Sequence, residues 1–496
     1  MSPQQAVAAV VVLAAGQGTR MRSATPKVLH EIGGRSMLGH VLAAAAPLGA
    51  AETLVVVGAG REVVAEHLAA VAPGARPVVQ DEQRGSGHAA AVALAAVPDL
   101  AGPVLVVNGD APLLREQTVT ALVEAHRDAG AALTVLTARV EDPTGLGRIV
   151  RDGSGAVTGI VEERDATPEQ RAITEVNAGV YVGDAAAFRA ALARIGQDND
   201  QGELYLTDVV GLLVGDGETV AGAPAEDPDD VLGCNDRREL AARRRTLNDR
   251  VLDDLMRAGV TVVDPATTWV DVTATVAADA LLEPGVQLRG TTSVAAGAVV
   301  GPDSTLVDTT VGEGASVVRS HALGAVVGPQ ATVGPFSYLR PGTDLARGAK
   351  VGAFVETKNA RVGEDSKVPH LSYVGDATIG RGANVGAATV FVNYDGTAKH
   401  HTTVGDHVRI GSDTMLVAPV TVGDGAYTAA GSVITQDVPP GAMGVARAAQ
   451  RNVAGWVRRR RPGSAAARAA EAATGPGVGA QADDAGGERL AGHHDQ

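Results

Sequence analysis

Residues 276–306 read VAADALLEPGVQLRGTTSVAAGAVVGPDSTL, and an aliphatic residue recurs at every sixth position of this stretch. The six positions are Val276, Leu282, Leu288, Val294, Val300 and Leu306. A period of six fits neither an α-helix nor an ordinary strand, and it is typical of the hexapeptide repeats of a parallel β-helix. In that fold each hexad forms one flat side of a triangular coil, and its aliphatic residue points inward.

The same period continues along the second half of the chain in shifted registers. The phase slips by one at Val311, and Val317 and Leu323 follow it. Two further runs have the same spacing, namely Val327, Val333, Leu339, Leu345 and Val351, and then Val404, Ile410, Leu416 and Val422. We therefore predict a β-helix domain over residues 261–457. Aromatic residues make up only 2% of the chain, which agrees with a coil core too narrow to hold them.

The first half of the chain has a different pattern, in which continuous apolar runs alternate with helical segments. The apolar runs are 7–15, 54–57 and 104–107, and the helical segments between them are 37–46 and 87–96. This alternation is typical of buried parallel strands in an α/β sheet. Ligands of such sheets bind beyond the carboxyl ends of the strands, and Gly16 and Asp110 both follow such ends. We predict one α/β domain over residues 1–235.

The two halves are joined by residues 236–258, DRRELAARRRTLNDRVLDDLMRA, which predict one long charged helix that Gly259 ends. Four aliphatic residues fall near one face: Leu240, Leu247, Val251 and Leu255. We interpret residues 236–260 as a rigid helical linker. The C-terminal segment 458–496 is poor in large hydrophobic residues and rich in Ala and Gly. This composition predicts a tail that is disordered from about Gly463.

Charge and cysteine content exclude several classes of protein. The 496-residue chain has a net charge of −15, which argues against a nucleic-acid partner because the phosphate backbone needs a basic face. A single cysteine, Cys234, excludes an intramolecular disulfide and a cysteine-cluster metal site. The apolar segment 6–15 is far shorter than a membrane span of roughly 20 residues and has no Lys or Arg before it. We therefore expect a cytoplasmic protein with no membrane partner.

One glycine-containing loop, LAAGQGTRM at residues 13–21, follows the first apolar run. Gly16 and Gly18 allow the backbone to approach a ligand, so that its N–H groups can bind phosphates, and Arg20 and Lys27 add positive charge. The loop is neither a dinucleotide fingerprint, because Met21 occupies the third glycine position, nor a Walker A loop, which needs Gly-Lys-Ser/Thr. An ordinary strand-to-helix turn has the same Gly-x-Gly pattern.

A second candidate, Asn108-Gly109-Asp110, ends another buried run. The Asp110 carboxylate is a ligand of the kind Mg²⁺ prefers beside phosphates, although Asn-Gly-Asp is also a common turn. Asn235 offers a second oxygen, but its local spacing does not show that it acts as a ligand.

The order and spacing of many segments resemble the GlmU family of bifunctional enzymes over about residues 6–456. In the first half the matching segments are LAAGQGTRM, PKVLHEIGG, GSGHA, NGDAPLL, DPTGLGRIV, GIVEERDAT, EVNAGVY, QGELYLTDVV and GCNDR. In the second half they are GPFSYLRPG, VGAFVETKNA, KVPHLSYVGDATIG, FVNYDG, IGSDTMLVAPVTVG and ARAAQRN. The expected architecture is an α/β nucleotidyltransferase (Rossmann-like) domain, the helical linker and a left-handed parallel β-helix.

For the first half, the resemblance implies transfer of UMP from UTP to N-acetylglucosamine 1-phosphate with release of pyrophosphate. Arg20 and Lys27 would hold phosphates, and Asp110 with Asn235 would hold Mg²⁺. The implied uracil and ribose contacts are Leu13, Ala14, Gly16, Gln80, Gly85 and Ser86. The implied sugar contacts are Gly147, Glu162 and Asn177, with Glu162 accepting a hydrogen bond from a sugar hydroxyl.

For the second half, the resemblance implies transfer of an acetyl group from acetyl-CoA to glucosamine 1-phosphate. His370 is the expected general base because imidazole titrates near the working pH, and Glu356 would orient it. His370 lies in KVPHLSY, where the hexad register breaks, so we expect a loop to leave the coil there. The implied sugar-phosphate contacts are Arg340, Lys358, Tyr373 and Asn384. The implied acetyl-CoA contacts are Ala387, Asn393, Tyr394, Ser412, Ala430 and Arg447.

Three positions depart from the residues that the family usually has. Ser86 replaces Thr and keeps the hydroxyl, and Cys234 replaces Val as a small hydrophobic residue. Ala388 replaces the Gly that commonly follows Ala387, and its methyl group would weaken acetyl transfer if the backbone must approach CoA closely there.

Two alternative functions remain open on the sequence. One is a single-function nucleotidylyltransferase for glucose or mannose 1-phosphate, many of which also have hexapeptide coils; His370, the pair Asn393-Tyr394 and Arg447 argue against it. The other makes the β-helix a non-catalytic assembly module. The resemblance implies a homotrimer with acetyl sites between neighbouring coils, and a role in supplying UDP-N-acetylglucosamine for cell-wall precursors.

Overall fold

The computed structural model describes residues 7–474. The chain divides into two compact units, of which the first ends at Gly444 and the second begins at Val445. The first unit contains the α/β region, a long helix and the coil that the hexad period predicts.

The α/β region contains one mixed nine-stranded sheet and a small hairpin. Its strands are β1 Ala9–Leu13, β2 Glu31–Ile32, β3 Arg35–Ser36, β4 Glu52–Val57, β5 Arg76–Val79, β6 Pro103–Asn108, β7 Leu133–Arg139, β8 Arg148–Arg151, β9 Val157–Val161, β10 Glu175–Asp184 and β11 Val220–Pro224. Strands run in the order β11-β7-β10-β6-β1-β4-β5, with the β8–β9 pair attached to β10, while β2 and β3 form the hairpin. The predicted parallel strands β1, β4 and β6 are confirmed, whereas β10 lies antiparallel between β6 and β7.

Helices cover both faces of this sheet. They are α1 Met37–Ala45, α2 Arg61–Val71, α3 Ser86–Ala95, α4 Glu116–Ala129, α5 Pro168–Arg171, α6 Ala185–Leu192 and α7 Asp208–Gly215, with 3-10 turns at Thr19–Met21, Lys27–Leu29, Ala46–Leu48 and Pro228–Val231. Helices α1, α2 and α4 pack on one face, and α3, α6 and α7 pack on the other. The strands are therefore buried on both sides, which explains their continuous apolar runs.

The long helix α8, Arg237–Arg257, begins at the predicted cap, since the Asp236 side chain accepts hydrogen bonds from two backbone N–H groups of the first turn. Leu240 packs beside Met21 of the α/β region, and Leu252 packs in the core of the coil. Asn248 is also buried, and its amide bonds to the backbone of Thr268 and Val270 at 2.9 and 3.0 Å. The helix therefore packs against both regions rather than merely separating them.

Beyond α8 the chain forms a parallel β-helix, as the period predicts. Its strands are β12 Thr261–Val262, β13 Trp269–Val270, β14 Thr275–Val276, β15 Leu281–Leu282, β16 Gln287–Arg289, β17 Ser293–Val294, β18 Val299–Val300, β19 Thr305–Val307, β20 Thr310–Val311, β21 Ser316–Val317, β22 His321–Leu323, β23 Val326–Val327, β24 Thr332–Val333, β25 Tyr338–Leu339, β26 Asp344–Leu345, β27 Lys350–Ala353, β28 Glu356–Val362, β29 Lys367–His370, β30 Tyr373–Ile379, β31 Asn384–Val385, β32 Val390–Val392, β33 Thr402–Val404, β34 Arg409–Ile410, β35 Met415–Val417, β36 Val420–Val422, β37 Tyr427–Thr428, β38 Val433–Ile434 and β39 Met443–Gly444. Every pairing between successive rungs is parallel, as at Lys350 to Lys367, a step of 17 residues. The predicted left-handed β-helix fold class is confirmed.

The inward-facing residues form one continuous apolar core, and most predicted positions belong to it. Two expectations were wrong. Leu323 was expected to point inward, but the spacing after Val317 shortens by one residue, so that Ala322 is fully buried and Leu323 is only partly buried. The coil also accepts one aromatic ring, since Phe391 is fully buried in the core.

The loop that leaves the coil is not at His370. His370 ends β29, and the rung that contains it keeps the ordinary step of 17 residues from Lys367 to Asn384. The next step, from Asn384 to Arg409, is 25 residues, because the chain leaves the coil after Val392 and returns at β33. The register break in KVPHLSY is instead absorbed at a bend, where Leu371 has a positive φ of 51°.

Ala388 occupies a similar bend, with a φ of 59°. Its backbone N–H donates to the His370 carbonyl oxygen at 3.3 Å. A left-handed conformation costs a residue with a Cβ roughly 1–2 kcal/mol. Glycine would remove this cost, but part of the benefit is offset because glycine loses more backbone entropy on folding than alanine does.

We therefore expect Ala388→Gly to raise the free energy of unfolding by about 0.5–1 kcal/mol. The midpoint of denaturant unfolding measures this change. Ala387→Gly, at the preceding position, has no positive φ to relieve and is expected to lower the midpoint; equal shifts in both variants would contradict the explanation.

The second unit contains α9, Trp456–Arg460, and α10, Ala465–Thr474. The predicted disorder is therefore wrong for residues 465–474. Ala is the best helix former, the Ser464 hydroxyl accepts a hydrogen bond from the Ala467 N–H at 3.1 Å, and Ala467 is buried. The remainder of the predicted tail, 475–496, lies outside the described residues.

Within residues 7–474, no helix combines the length and the apolar character that crossing a lipid bilayer requires.

Candidate active sites

A cavity of about 620 Å³ opens at the carboxyl ends of β1 and β6. Ten of the residues predicted for nucleotide, phosphate or metal contacts line it: Leu13, Ala14, Gly16, Arg20, Lys27, Gln80, Gly85, Ser86, Asp110 and Asn235. They come from segments that are far apart in the sequence, and the parallel pairing of β1 with β4 and β6 brings their strand ends to one edge of the sheet.

Two glycines shape this cavity. Gly18 has a φ of 60°, and a Cβ there would lie 2.5 Å from the Cβ of Lys27, so only glycine lets the loop close over the lysine. Gly85 has a φ of 107° and lies against the backbone of Leu204. The Ser86 hydroxyl accepts a hydrogen bond from the Leu206 N–H at 3.1 Å, which holds the start of α3 beside the cavity.

Side chains of opposite charge meet beyond the carboxyl end of β6. The Asn235 side-chain oxygen accepts hydrogen bonds from Arg20 Nη2 and Lys27 Nζ, both at 2.9 Å. Lys27 also forms an ion pair with Asp110. The Cys234 N–H donates to the Asp110 carbonyl oxygen at 3.0 Å, which holds Asn235 beside Asp110 although 125 positions separate them.

The donor set fits a magnesium ion that also binds phosphates. Mg²⁺ commonly takes one or two protein oxygens and fills its other positions with water and phosphate oxygens. Asp110 and Asn235 supply two oxygens that converge on one cationic group, the Lys27 ammonium. Residues 7–474 contain no cluster of three or more His, Cys, Asp or Glu side chains that would form an all-protein metal site.

The predicted sugar contacts lie together beside this cavity. The Asn177 N–H donates to the Gly147 carbonyl oxygen at 2.9 Å, and a Cβ on Gly147 would lie 3.5 Å from both carboxylate oxygens of Glu162. Glu162 accepts a hydrogen bond from the Thr207 hydroxyl at 3.3 Å. Burial raises the pKa of the Glu162 carboxyl, and that hydrogen bond partly opposes the shift.

Sequence reasoning missed several residues that line the nucleotide cavity: Gln17, Gln83, Asn108 and Glu203. Gln83 donates its side-chain amide to the Ala15 carbonyl oxygen and so supports the phosphate loop. Asn108 faces Gly179, which has no room for a Cβ. For Asn108 the signal was its position at the strand end before Asp110; nothing local distinguishes Gln83.

In the β-helix, His370 lies in a column of bends on successive rungs. The Ala388 N–H donates to the His370 carbonyl oxygen at 3.3 Å, the Asp413 N–H to that of Ala387 at 2.7 Å, and the Gly431 N–H to that of Ser412 at 2.9 Å. Three predicted acetyl-CoA contacts, Ala387, Ser412 and Ala430, therefore follow His370 along one edge of the coil. The His370 side chain is exposed, and its imidazole has no hydrogen-bond partner among residues 7–474.

The cationic residues predicted to bind the sugar phosphate lie on an adjoining face. Arg340 donates to Glu356 Oε1 at 2.8 Å, and Glu356 lies beside Tyr373 on the next rung. The structure thus pairs Glu356 with Arg340 and shows no contact between Glu356 and His370. Lys358 lies two residues beyond Glu356.

Lys399, which sequence reasoning missed, comes from the loop that leaves the coil. It adjoins Lys358 and lowers the pKa of the Lys358 amino group. Asp376 lies in the same group and accepts hydrogen bonds from Asn393 and, at 2.7 Å, from Asn359. A lone lysine in DGTAKHHT carries no motif that would have identified Lys399.

Three further predicted contacts remain, of which Tyr394 forms a β-bridge with Lys399. Asn384 lies between Lys367 and Arg409, on the sheet whose strand β29 ends at His370. Tyr394 is 57% exposed, and its hydroxyl donates to the Gly396 carbonyl oxygen at 2.7 Å. Arg447 belongs to the second compact unit.

Comparisons with known proteins match both regions of the chain. Residues 10–205 match the family model of the MobA-like NTP transferase domain, and residues 401–436 match that of the bacterial transferase hexapeptide, six repeats. The chain is 60% identical over 469 residues to a protein of Streptomyces avermitilis named "Bifunctional protein GlmU", covering 94% of this chain and 97% of that protein. A protein of the same name from Streptomyces coelicolor is 60% identical over 94% of this chain and 97% of its own length. A third, from Mycolicibacterium vanbaalenii, is 56% identical over 93% of this chain and 94% of its own length.

Proposed function

The chain belongs to the GlmU family of bifunctional proteins, and on this premise we propose that it catalyses two reactions of one biosynthetic sequence. It acetylates glucosamine 1-phosphate with acetyl-CoA, and it then transfers UMP from UTP to N-acetylglucosamine 1-phosphate, giving UDP-N-acetylglucosamine and pyrophosphate. The observation that carries the proposal is the occurrence, in one chain, of the cavity around Lys27 and Asp110 and the separate group of cations and bends around His370.

In uridylyl transfer the phosphate of the sugar attacks the α-phosphorus of UTP, so that one P–O bond forms while the bond to pyrophosphate breaks. This reaction needs positioning and charge stabilisation rather than a protein nucleophile. The Arg20 guanidinium and the Lys27 ammonium bind the triphosphate, whose oxygens take the place that Asn235 occupies between them. Asp110 and Asn235 would hold Mg²⁺, which when bound neutralises phosphate charge and orients the triphosphate.

Sugar recognition rests on the carboxylate of Glu162 and the amide of Asn177. Glu162 accepts a hydrogen bond from a sugar hydroxyl, and the absence of a side chain at Gly147 leaves room for the ring beside that carboxylate. The Asn177 side chain bonds to the buried Tyr181 hydroxyl at 2.7 Å, which fixes its orientation. The contacts proposed for uracil and ribose are those of Leu13, Ala14, Gly16, Gln80, Gly85 and Ser86.

In acetyl transfer the amine of glucosamine 1-phosphate must lose a proton as its nitrogen attacks the thioester carbon. His370 accepts this proton, the new C–N bond forms, and the C–S bond to CoA breaks. Arg340, Lys358 and Lys399 form a cationic group suited to the sugar phosphate, with Tyr373 and Asn384 as further contacts. The edge that contains Ala387, Ser412 and Ala430 would bind CoA, with Asn393 and Tyr394 contributing, and Glu356 acts on Arg340.

The domain boundaries and the assembly are part of the same proposal. Residues 1–235 form the uridylyltransferase domain, 236–260 the linker and 261–457 the acetyltransferase domain, followed by a tail over 458–496. Phe336, Phe354 and Leu371 are each more than half exposed at successive bends, and such an apolar stripe supports a homotrimer in which a second copy covers it. We propose a cytoplasmic location, where UTP and acetyl-CoA are made, and a role in cell-wall precursor synthesis.

The decisive experiment follows UTP and acetyl-CoA consumption separately in the purified full-length chain. We expect pyrophosphate release that requires N-acetylglucosamine 1-phosphate and free-thiol release that requires glucosamine 1-phosphate. Thiol release without pyrophosphate release, or the reverse, would show that the protein has only one of the two proposed activities. Turnover of glucose or mannose 1-phosphate in place of the amino sugar would favour the single-function alternative.

A further inference from the structure

Arg148, in strand β8, is the largest side chain that the fold buries completely. Its guanidinium contacts the loop that precedes β8, and its side chain is 2% exposed. Placing a charged guanidinium out of water is costly unless a partner charge and hydrogen bonds compensate. The protein retains this charge next to the proposed sugar site rather than an apolar residue of similar size.

The compensation comes from one carboxylate and from backbone carbonyls. Arg148 Nη2 forms an ion pair with Glu163 at 2.5 Å, and Nη1 donates to the Leu146 carbonyl oxygen. Glu163 Oε2 also accepts a hydrogen bond from the Gly145 N–H at 3.3 Å. The ion pair therefore ties the loop before β8 to the turn that follows β9.

Two of the three proposed sugar contacts are covalently adjacent to a member of this ion pair, and the third is adjacent to the strand partner of Arg148. Gly147 directly precedes Arg148. Glu162 directly precedes Glu163. Asn177 follows Val176, the residue of β10 that pairs with Arg148 across the sheet. A displacement of the ion pair would therefore move all three contacts, and it would do so without touching the phosphate loop.

Arg148 also acts on Glu162 through its charge. Burial and the nearby carboxylates of Asp165 and Asp208 raise the pKa of the Glu162 carboxyl, whereas the positive charge of Arg148 lowers it. The ionised Glu162 carboxylate acts only as a hydrogen-bond acceptor, whereas protonation turns one of its oxygens into a donor and weakens it as an acceptor. The buried cation opposes the three influences that would protonate it.

We propose that the Arg148–Glu163 ion pair is the positioning device of the sugar subsite, holding Gly147, Glu162 and Asn177 in one arrangement and so determining affinity for the amino-sugar phosphate. Neither residue touches the substrate. This inference rests on the proposed uridylyltransferase function and deepens it, because it identifies what gives the first cavity its selectivity for the sugar.

The test measures KM for N-acetylglucosamine 1-phosphate and for UTP in Glu163→Gln and Arg148→Lys. A hydrogen bond to a charged group contributes roughly 1.5–3 kcal/mol, which corresponds to about 10- to 140-fold in affinity. We expect KM for the sugar phosphate to rise by about tenfold or more, and KM for UTP to change by less than about twofold. The unchanged KM for UTP reports that the α/β region has folded, and acetyl transfer by the β-helix of the same polypeptide is expected to remain unchanged.

The matched control is another ion pair made by β8, that of Arg151 with Glu175 of β10. It involves the same strand β8, but its arginine is more exposed and its glutamate does not adjoin Glu162, so Glu175→Gln is expected to leave both KM values near those of the wild type. An equal rise of the sugar KM in Glu175→Gln would show that any loosening of these strands has the same effect and would overturn the proposal.

The pH profile separates charge from geometry. In Arg148→Met the pKa of Glu162 is expected to rise further, so sugar binding should weaken at a higher pH than in the wild type as the solution is acidified. Arg148→Lys keeps the charge and should retain the wild-type profile despite its raised KM. An unchanged sugar KM in all three variants overturns the inference, whereas a wild type that does not turn over N-acetylglucosamine 1-phosphate overturns the proposed function itself.

Discussion

Replacing Asp110 with alanine is expected to lower uridylyl transfer by about a thousandfold while acetyl transfer stays within about twofold of the wild type. A bound metal contributes several kcal/mol of charge stabilisation in phosphoryl chemistry, and each 1.36 kcal/mol is about a factor of ten in rate. Asp110 supplies the carboxylate beside Asn235, and it is also the ion-pair partner of Lys27. Its removal therefore affects the metal donor set and the lysine that binds phosphate.

The measurement is pyrophosphate release at increasing Mg²⁺ concentration. Asp110→Asn keeps one oxygen and is expected to require more Mg²⁺ for half-maximal activity, which distinguishes weakened metal binding from loss of the fold. Asp99→Ala serves as a matched control, because Asp99 is exposed on the same domain. Normal pyrophosphate release by Asp110→Ala, with an unchanged Mg²⁺ requirement, would contradict the role assigned to this carboxylate.

Replacing His370 with alanine is expected to have the opposite selectivity. Removing a general base typically costs roughly 10²–10⁴-fold in rate, and we expect a loss in this range for thiol release from acetyl-CoA. Uridylyl transfer should be unaffected, because His370 lies on the β-helix and lines no part of the cavity around Lys27. Because the imidazole is exposed, we expect this change to leave folding intact, and the unfolding midpoint checks this.

His321→Ala is the matched control for this variant. His321 is also exposed on the β-helix, two rungs before Glu356 on the same face, and its ring contacts Tyr338 at a centroid distance of 5.5 Å. It is expected to retain acetyl transfer. Retained activity in His370→Ala would remove the base assignment, and a loss of both activities in either single variant would contradict the existence of two independent sites.

The periodic parts of this fold were predictable because their physical cause is local. An inward-facing residue must recur once for each side of a coil, so the spacing of Val294, Val300 and Leu306 indicates the β-helix without any knowledge of contacts. The phase slip at Ala322 was not predictable in the same way. The length of one bend decides whether the alanine or the leucine beside it faces the core, and that length depends on the rungs above and below.

The candidate sites divide along the same line. The phosphate loop was predictable from Gly16, Gly18 and Arg20, since their chemistry is contained within a few residues. The partnership of Asp110 with Asn235 has no local signal, because it arises where α8 begins beside the end of β6. Lys399 and the ion pair of Arg148 with Glu163 were also missed, since a lone charged residue in a sequence does not show whether it is buried or which charge it faces.

The amino-acid sequence by itself therefore determined the two architectures, the family and the loops that bind phosphate, because periodicity and short motifs act over a few residues. Only the tertiary structure decided which distant side chains share a site, which bend contains an alanine in a left-handed conformation, and which arginine is buried. Those properties depend on distances and solvent exclusion between segments that meet only when the sheet and the coil have formed.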